Sequence, residues 1–308
     1  MMVQEAHHQS FFLAPPARCS SQMKLLDLGN LAVRRMLVAR GVSSQTAQVL
    51  GHDVHYYRAE GTGKGPPLFL VHGLGSSANA FFRTVVPLAK QFRSVYAIDL
   101  PGNGFSPLPS TGPLPLRQYI EVLRQFRRQI IGEKVFLIGN SLGGAMAFYY
   151  AHEEPDALEA LALISPAGAK VAPGRLAMTM KSFDVTTHKE ARGLARKLFA
   201  KPSLGLLVFA GELRHMVSSP AVKSIRGEVK EEDLVSEEML AALKMPTLLI
   251  WGQQEKLLPY ESIDYYRAHL PKSAEVHEVR AFGHMPQMEH PREFVMRINA
   301  FAQSQGLF

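Results

Sequence analysis

A serine that could act as a nucleophile lies between two glycines in the segment FLIGNSLGG, residues 136–144. The apolar run before it predicts a buried strand, and the stretch from Leu142 to Glu153 predicts a helix. A sharp strand-to-helix turn would expose the Ser141 hydroxyl above the sheet, and it would need small residues at Gly139 and Gly143 to avoid collisions. The alternative is a tight loop with a turn-forming serine, because Gly-x-Ser-x-Gly alone also arises by chance.

A serine hydroxyl is a poor nucleophile at neutral pH and needs a base. Of the twelve histidines, His284 is the best placed, because it lies between the last predicted strand and the last predicted helix. Active sites of open α/β sheets form at this edge. Glu255, three residues after the glycine that ends its strand, could orient the imidazole and stabilise its charge. The order Ser141, Glu255, His284 is that of a hydrolase triad, and Glu261 and Asp264 are the fallback acids.

Acyl transfer also builds negative charge on an oxygen atom, which two backbone amides can stabilise. Gly73 and Gly75 flank Leu74 at the end of the first buried strand. We predict that the amide of Leu74 and that of Leu142 form this oxyanion hole. His72 could serve as a second base, but we interpret it as a support of the loop.

Strands and helices alternate along the chain from His52 onward, and the strands are continuously apolar. This pattern predicts a mostly parallel sheet with helices on both faces. The alternation stops after Gly168, and residues 169–243 read mostly helical. Thr187 and Glu190 there fit the capping box of a helix.

The simplest domain organisation is one sheet domain with a helical cap inserted after the sixth strand. A helix predicted from Lys24 to Arg40 precedes the sheet and could lie on a membrane surface or pack on the protein itself. We therefore predict these parts: an N-terminal extension with one helix at 1–51, the core at 52–168 and 244–308, and the cap at 169–243.

The composition is that of a globular protein, since 46% of the 308 residues are apolar and 20% are charged. The net charge of +7 is spread along the chain without a nucleic-acid-binding motif, so no nucleic-acid partner is expected. Cys19 is the only cysteine, which excludes an internal disulfide. No apolar run is long enough to span a membrane, and the start of the chain lacks the basic region of a secretory signal. We expect a cytoplasmic protein without metal or cofactor and leave membrane association open.

The chain resembles the α/β-hydrolase superfamily over roughly residues 52 to 304, in the cap-bearing branch that includes serine esterases, monoacylglycerol lipases and C–C hydrolases. The motifs that carry the resemblance are His72-Gly73-Leu74-Gly75, Asp99-Leu100-Pro101-Gly102-Asn103-Gly104-Phe105-Ser106, the Ser141 turn, Trp251-Gly252 with an acid three residues later, and Gly283-His284 followed by His290-Pro291.

The resemblance implies an α/β-hydrolase sheet with the insert acting as a cap over the site. It also implies that the segment from Asp99 to Ser106 is a structural turn, so Asp99 is not counted as catalytic. Two positions depart from the family pattern. Glu255 stands where Asp is usual, and Asn103 replaces a common histidine, a change that we expect to be tolerated.

Ser141 favours acyl transfer, because relatives that open epoxides or displace halide carry Asp at this turn. The resulting hypothesis is a serine hydrolase that cleaves a carboxylic ester with an apolar or lipid-like acyl group through an acyl-enzyme. Apolar cap residues at 204–211 and at Met178, Met180 and Met216 would line the site or form the core of the cap. The alternatives are a C–C bond hydrolase of ring-fission products, a non-catalytic ligand-binding protein, and acyl transfer to an acceptor other than water. No oligomeric state is predicted.

Overall fold

The computed structural model describes residues 25–204 and 210–308. The predicted tail before residue 25, and most of the apolar stretch 204–211, lie outside the described residues. Eight strands form one sheet in the order β1-β2-β4-β3-β5-β6-β7-β8. The strands are β1 (Ser43–Val49), β2 (His52–Glu60), β3 (Leu68–Val71), β4 (Ser94–Ile98), β5 (Val135–Asn140), β6 (Leu158–Ile164), β7 (Thr247–Gly252) and β8 (Glu275–Val279).

The sheet is mostly parallel, as predicted. Strands β4, β3, β5, β6, β7 and β8 run parallel, whereas β2 is antiparallel to both of its neighbours, β1 and β4. Strands β3, β4, β5 and β7 are buried along their whole length, which explains their uninterrupted apolar sequences. The carboxyl ends of the parallel strands therefore meet at one edge of the sheet, where the predicted site residues follow them.

Helices cover both faces of the sheet and enclose two apolar cores. One core contains residues of α3, α4 and α10, and the other contains residues of α1, α2 and α12. The helices are α1 (Leu25–Ala39), α2 (Val85–Leu88), α3 (Leu116–Phe126), α4 (Leu142–Glu153), α5 (Arg175–Lys181), α6 (His188–Leu198), α7 (Gly211–Val217), α8 (Pro220–Glu228), α9 (Glu237–Ala241), α10 (Glu261–His269), α11 (Pro286–Glu289) and α12 (Pro291–Ser304).

Strand β1 was not predicted from the sequence, because its residues are mostly polar. It pairs with β2 through a tight hairpin whose two turn residues, Leu50 and Gly51, both have positive φ angles. It lies inside the predicted extension 1–51 yet belongs to the sheet. The domain boundaries remain a prediction.

Between β3 and β4 the helical structure is short and interrupted. A 3-10 turn (Ala78–Phe81) is followed by the one-turn helix α2, which contains Pro87. Proline is tolerated only in the first turn of a helix, so a helix could not run continuously through this position.

The insert between β6 and β7 is helical in its described part, with α5 to α9. Helix α6 begins with the predicted capping box, in which Thr187 and Glu190 bond to each other's backbone amides. The insert has an apolar core of its own that includes Phe183, Leu194 and Leu257, and Leu257 lies just after β7. The cap is thus packed against a loop of the predicted site. Within the described part of the chain, no helix has the length and apolar character needed to cross a membrane.

Candidate active site

Ser141 lies on a strained turn between β5 and α4. Its φ of 57° and ψ of −121° fall where residues with a side chain are rarely found, and only 6% of its surface is exposed. A Cβ atom on Gly139 would lie 2.2 Å from the carbonyl oxygen of Gly143, and one on Gly143 would lie 2.5 Å from that of His72. Both glycines are therefore required for the turn to pack against the strands.

Glu255 and His284 form a buried pair. The imidazole Nδ1 of His284 lies 2.7 Å from Oε2 of Glu255, and both side chains are almost fully buried. The other carboxylate oxygen accepts hydrogen bonds from the amides of Leu257 at 2.7 Å and Leu258 at 3.1 Å. The turn after β7 thus donates two amides that hold this side chain, which is one methylene longer than an aspartate, against His284.

The pKa of Glu255 lies below its usual value. Burial alone would raise the pKa, but the charge of His284, the hydrogen bond to it and the amides of Leu257 and Leu258 together outweigh burial. The carboxylate therefore stays ionised and can stabilise a protonated imidazole.

Asn140, next to the serine, is bonded to the histidine loop, which is the loop between β8 and α11 that contains His284. Its side-chain amide donates to the carbonyl of His284 at 3.0 Å and to that of Ile164 at 3.1 Å. Its oxygen accepts from the side chain of the fully buried Gln287 at 3.1 Å. Sequence reasoning missed both residues, since neither belongs to a catalytic pattern.

Among the described residues, no hydrogen bond joins the Ser141 hydroxyl to the His284 imidazole. Because Nδ1 of His284 is engaged by Glu255, the ring atom left for the serine is Nε2. Hydrogen bonds of catalytic groups are often long before substrate binds, so the last link of the relay remains a prediction.

The loop after β3 contacts the serine directly. A Cβ atom on Gly73 would lie 3.0 Å from that of Ser141, and Gly75 has a φ of 65°. Leu74 and Leu142, whose amides are the predicted oxyanion hole, both line the cavity that contains Ser141. The role of their amides in catalysis remains a prediction.

His72 supports this loop, as interpreted from the sequence. Its Nδ1 bonds the carbonyl of Gly73 at 2.8 Å, and its Nε2 accepts from the amide of Leu100 at 3.1 Å. Burial lowers the pKa of His72, which keeps the ring neutral in this role. With both nitrogens engaged, His72 has no free atom to act as a base.

A second hydrogen-bonded arrangement of Ser, His and Asp side chains lies outside the cavity. Ser44 Oγ is 2.7 Å from Nε2 of His55, and Nδ1 of His55 is 2.7 Å from Asp99. The Asp99 carboxylate also accepts hydrogen bonds from the amides of Ala78 and Phe105. Asp99 therefore fastens the turn that follows β4, in agreement with its expected structural role.

The fallback acids stay outside the Glu255–His284 pair. Glu261 forms an ion pair with Arg175, and Asp264 forms one with Arg267, all on exposed surface. The Asn103 side-chain amide bonds backbone carbonyls of its own turn. The structure thus gives Asn103 a local role within its own turn.

A cavity of about 600 Å³, partly open to solvent, lies between the cap and the sheet edge. The described part of its wall is apolar apart from a few residues, and it includes no lysine, arginine or histidine. The lining residues are Leu74, Leu116, Ser141, Leu142, Ala145, Tyr149, Ala167, Gly168, Leu176, Thr179, Met180, Phe183, Ile225, Val229, Asp233, Leu234, Leu257 and Leu258. Of the methionines expected there, Met180 lines the cavity, whereas Met178 is 63% exposed.

Comparison with known proteins gives relatives of more than one activity. The chain is 28% identical to a pimeloyl-[acyl-carrier protein] methyl ester esterase of Aeromonas hydrophila, over 78% of this chain and 96% of that protein. It is 24% identical to a 2-hydroxy-6-oxo-2,4-heptadienoate hydrolase of Pseudomonas putida, over 90% of this chain and 98% of that protein.

Solved structures agree with the fold. A membrane phospholipase A described as a bacterial virulence factor superposes with a TM-score of 0.76 at 27% identity, covering 91% of this chain and 95% of that one. A putative lipase from Acinetobacter baumannii superposes with a TM-score of 0.78 at 19% identity, covering 95% and 99%. A family model described as alpha/beta hydrolase fold matches residues 66–291. The chain therefore belongs to the α/β-hydrolase fold family.

Proposed function

We propose that the protein is a serine hydrolase that cleaves a carboxylic ester with an apolar acyl group through an acyl-enzyme intermediate. Family membership and the relatives support hydrolase activity. The observation that carries the ester assignment is the position of Ser141, on a strained turn that lines an apolar cavity, while its neighbour Asn140 is bonded to the backbone of His284 in the buried Glu255–His284 pair.

The proposed reaction uses Ser141, the Glu255–His284 pair and two backbone amides. Nε2 of His284 takes the proton of Ser141 as the serine oxygen attacks the ester carbonyl. The amides of Leu74 and Leu142 stabilise the oxyanion. The imidazolium, stabilised by Glu255, then gives its proton to the leaving alcohol. Water activated by the same imidazole frees the acid and restores the serine.

The cavity wall favours a neutral substrate. Burying an ionised carboxylate without a cation or a set of donors is costly, and no cationic side chain occurs among the described residues that line this cavity. A ring-fission dienoate carries such a carboxylate, so the wall favours an ester over the C–C bond substrate. A medium or long acyl chain, as in a monoacylglycerol, would bury its methylenes against the leucines of the cap.

We also propose a partner and a cellular setting. The partner is a small ester or lipid, and the protein acts in the cytoplasm. A peripheral membrane contact is compatible with it, since a relative of similar fold is named a membrane phospholipase A.

The test is hydrolysis of p-nitrophenyl esters from C2 to C16, in parallel with a ring-fission dienoate. Ser141→Ala is the inactive variant, and Ser44→Ala is the matched control, because Ser44 contacts a histidine but lies outside the cavity. We expect turnover that rises with acyl length, is lost in Ser141→Ala and is retained in Ser44→Ala. Turnover of the dienoate alone would favour C–C cleavage.

Labelling with a fluorophosphonate probe separates the remaining alternatives. A wild-type protein that neither turns over esters nor labels at Ser141 would be a binding protein on this fold. If added alcohols captured most of the acyl group instead of water, the protein would be an acyltransferase.

A further inference from the structure

The cap contacts the histidine loop through the short segment that follows α6, residues 199–201. Phe199 is only 8% exposed and belongs to the apolar core of the sheet domain, together with Phe282 and Met285. These two residues lie on either side of the Gly283–His284 dipeptide. The end of α6 is therefore packed directly on the loop that carries the proposed base.

Glu289 bonds to this segment from the other side. It ends α11, the helix that follows His284, and its Oε1 accepts a hydrogen bond of 3.2 Å from the amide of Lys201. Its Oε2 is buried, and no described residue forms a well-aligned hydrogen bond with it. Burial raises the pKa of Glu289, although the amides of Lys201 and Ala200 oppose the rise. Burying part of a carboxyl group costs free energy. The hydrogen bond to the cap segment offsets part of this cost.

The cap segment, the Glu289 side chain and the histidine loop pack tightly against one another at Gly283. A Cβ atom on Gly283 would lie 2.6 Å from the amide nitrogen of Ala200, 2.6 Å from Oε2 of Glu289 and 3.2 Å from the carbonyl carbon of Phe199. The cap backbone, the carboxyl and the histidine loop thus touch at one point, next to His284 itself.

The loop after β7, which carries Glu255, also contacts residues 199–201. Nζ of Lys256, the residue after Glu255, donates to the carbonyl oxygen of Ala200 at 3.4 Å. Residues 199–201 therefore contact both loops that hold the Glu255–His284 pair. A movement of this segment would therefore change the surroundings of both Glu255 and His284.

We propose that Glu289 is a positioning residue that fastens cap segment 199–201 to the His284 loop, so that closure of the cap and orientation of the imidazole are coupled. With the contact made, the loop is held between Asn140 on the sheet side and the cap on the other. With the contact broken, the cap segment loses its hydrogen bond to Glu289 and the loop loses one of its supports. The coupling to catalysis rests on the proposed function. The fastening, by which we mean the hydrogen bond from Lys201 of the cap segment to Glu289, does not.

The experiment uses the full chain and three variants: Glu289→Ala, Glu289→Gln and the control Glu293→Ala. Glu293 is also a glutamate in this region, but it pairs with Arg297 on α12. Hydrogen exchange of the Lys201 amide reports the fastening without any need for activity. The kcat and KM of the best ester, together with the rate of fluorophosphonate labelling, report the coupling.

Glu289→Ala should speed hydrogen exchange of the Lys201 amide about tenfold, because the loss of one hydrogen bond changes an equilibrium by about this factor. It should lower kcat and the labelling rate about tenfold and leave KM within about twofold, since Glu289 does not line the cavity. Glu289→Gln should recover most of both, because the amide oxygen still accepts from Lys201, and Glu293→Ala should match the wild type. If Glu289→Ala does not fold, as judged by its melting curve, Glu289→Leu replaces it, because leucine fills similar space and cannot accept the hydrogen bond, and the same changes are expected of it.

Unchanged exchange at Lys201 in folded Glu289→Ala would overturn the fastening. Faster exchange with an unchanged kcat and labelling rate would overturn the coupling, as would a rise in KM alone, which indicates a purely structural hold on the cap. If the wild type neither hydrolyses esters nor labels, the proposed function fails together with the coupling, and the exchange data still decide the fastening.

Discussion

The side-chain amide of Asn140 donates a 3.0 Å hydrogen bond to the backbone carbonyl of His284, across a sequence separation of 144 positions. The residue next to the proposed nucleophile thus holds the loop of the proposed base. Asn140 is itself held by the buried side chain of Gln287. Two loops that belong to different strands are joined by buried amides, which help to fix their relative position.

Asn140→Ala should lower kcat of the best ester by up to about 100-fold, because a displacement of about 1 Å at a catalytic group can have that effect. The change removes the donor to the His284 carbonyl and leaves the side chain of Gln287 unpaired in the interior, so the melting temperature should fall as well. Asn103→Ala is the control, since Asn103 bonds only its own turn. Equal losses in the two variants would show that the link to His284 has no special role.

Glu255→Gln should lower kcat by about 10⁴-fold, as expected for loss of the charged partner of a catalytic histidine. Glu255→Asp should be less affected, although its shorter side chain must reach both His284 and the amides of the turn. Glu261→Gln is the matched control, because that glutamate lies on α10 and pairs with Arg175. Steady-state kinetics on purified variants of confirmed fold provide the measurement. A loss in Glu261→Gln as large as in Glu255→Gln would contradict the assignment of the acid.

Much of the fold was predictable because the physics is local. Strands that are buried on both faces are continuously apolar, so β3, β4, β5 and β7 could be recognised without knowing their neighbours. The Ser141 turn was predictable for a similar reason, since the close approach of backbone at Gly139 and Gly143 leaves no room for a side chain.

The remaining features depend on which distant segments meet. β1 is a polar edge strand, and nothing in its composition separates it from a loop until β2 is found beside it. Asn140, Gln287 and Glu289 carry ordinary polar side chains whose partners lie on other loops. Their roles could not be read from spacing, because hydrogen-bond partners are set by the tertiary structure.

Ser141→Gly should raise the free energy of unfolding relative to Ser141→Ala by about 1 kcal/mol. The positive φ of Ser141 strains any residue with a Cβ atom, at a cost of about 1–3 kcal/mol, and glycine relieves it. The greater flexibility of glycine in the unfolded chain offsets part of this gain. Both variants should be inactive, so urea unfolding curves are compared directly. The strain argument fails if the alanine variant is at least as stable as the glycine variant.

The cap helix α6 should depend on pH through Glu190. Hydrogen bonds from Thr186 and Thr187 lower the pKa of Glu190 to about 2. Because the folded pKa is below the ordinary 4.5, the carboxylate stabilises the fold above pH 4.5, and this contribution is lost as pH falls from 4.5 through about 2. Glu190→Gln should therefore melt earlier than the wild type at neutral pH, and the gap should close over this window.

Melting curves at a series of pH values test the expectation, with Glu159→Gln, an exposed position on β6, as the control. A gap between wild type and Glu190→Gln that stays constant from pH 6 to pH 2 would show that the charge of Glu190 is not what holds the helix start.

Both outer strands of the sheet carry polar side chains, with serines, glutamines and a threonine along β1 and glutamates and a histidine along β8. A strand added from another molecule would have to strip water from these groups at either border. The sheet is thereby shielded from growth by recruitment of neighbouring copies, and conditions that favour aggregation should act on other surfaces before they act on its borders.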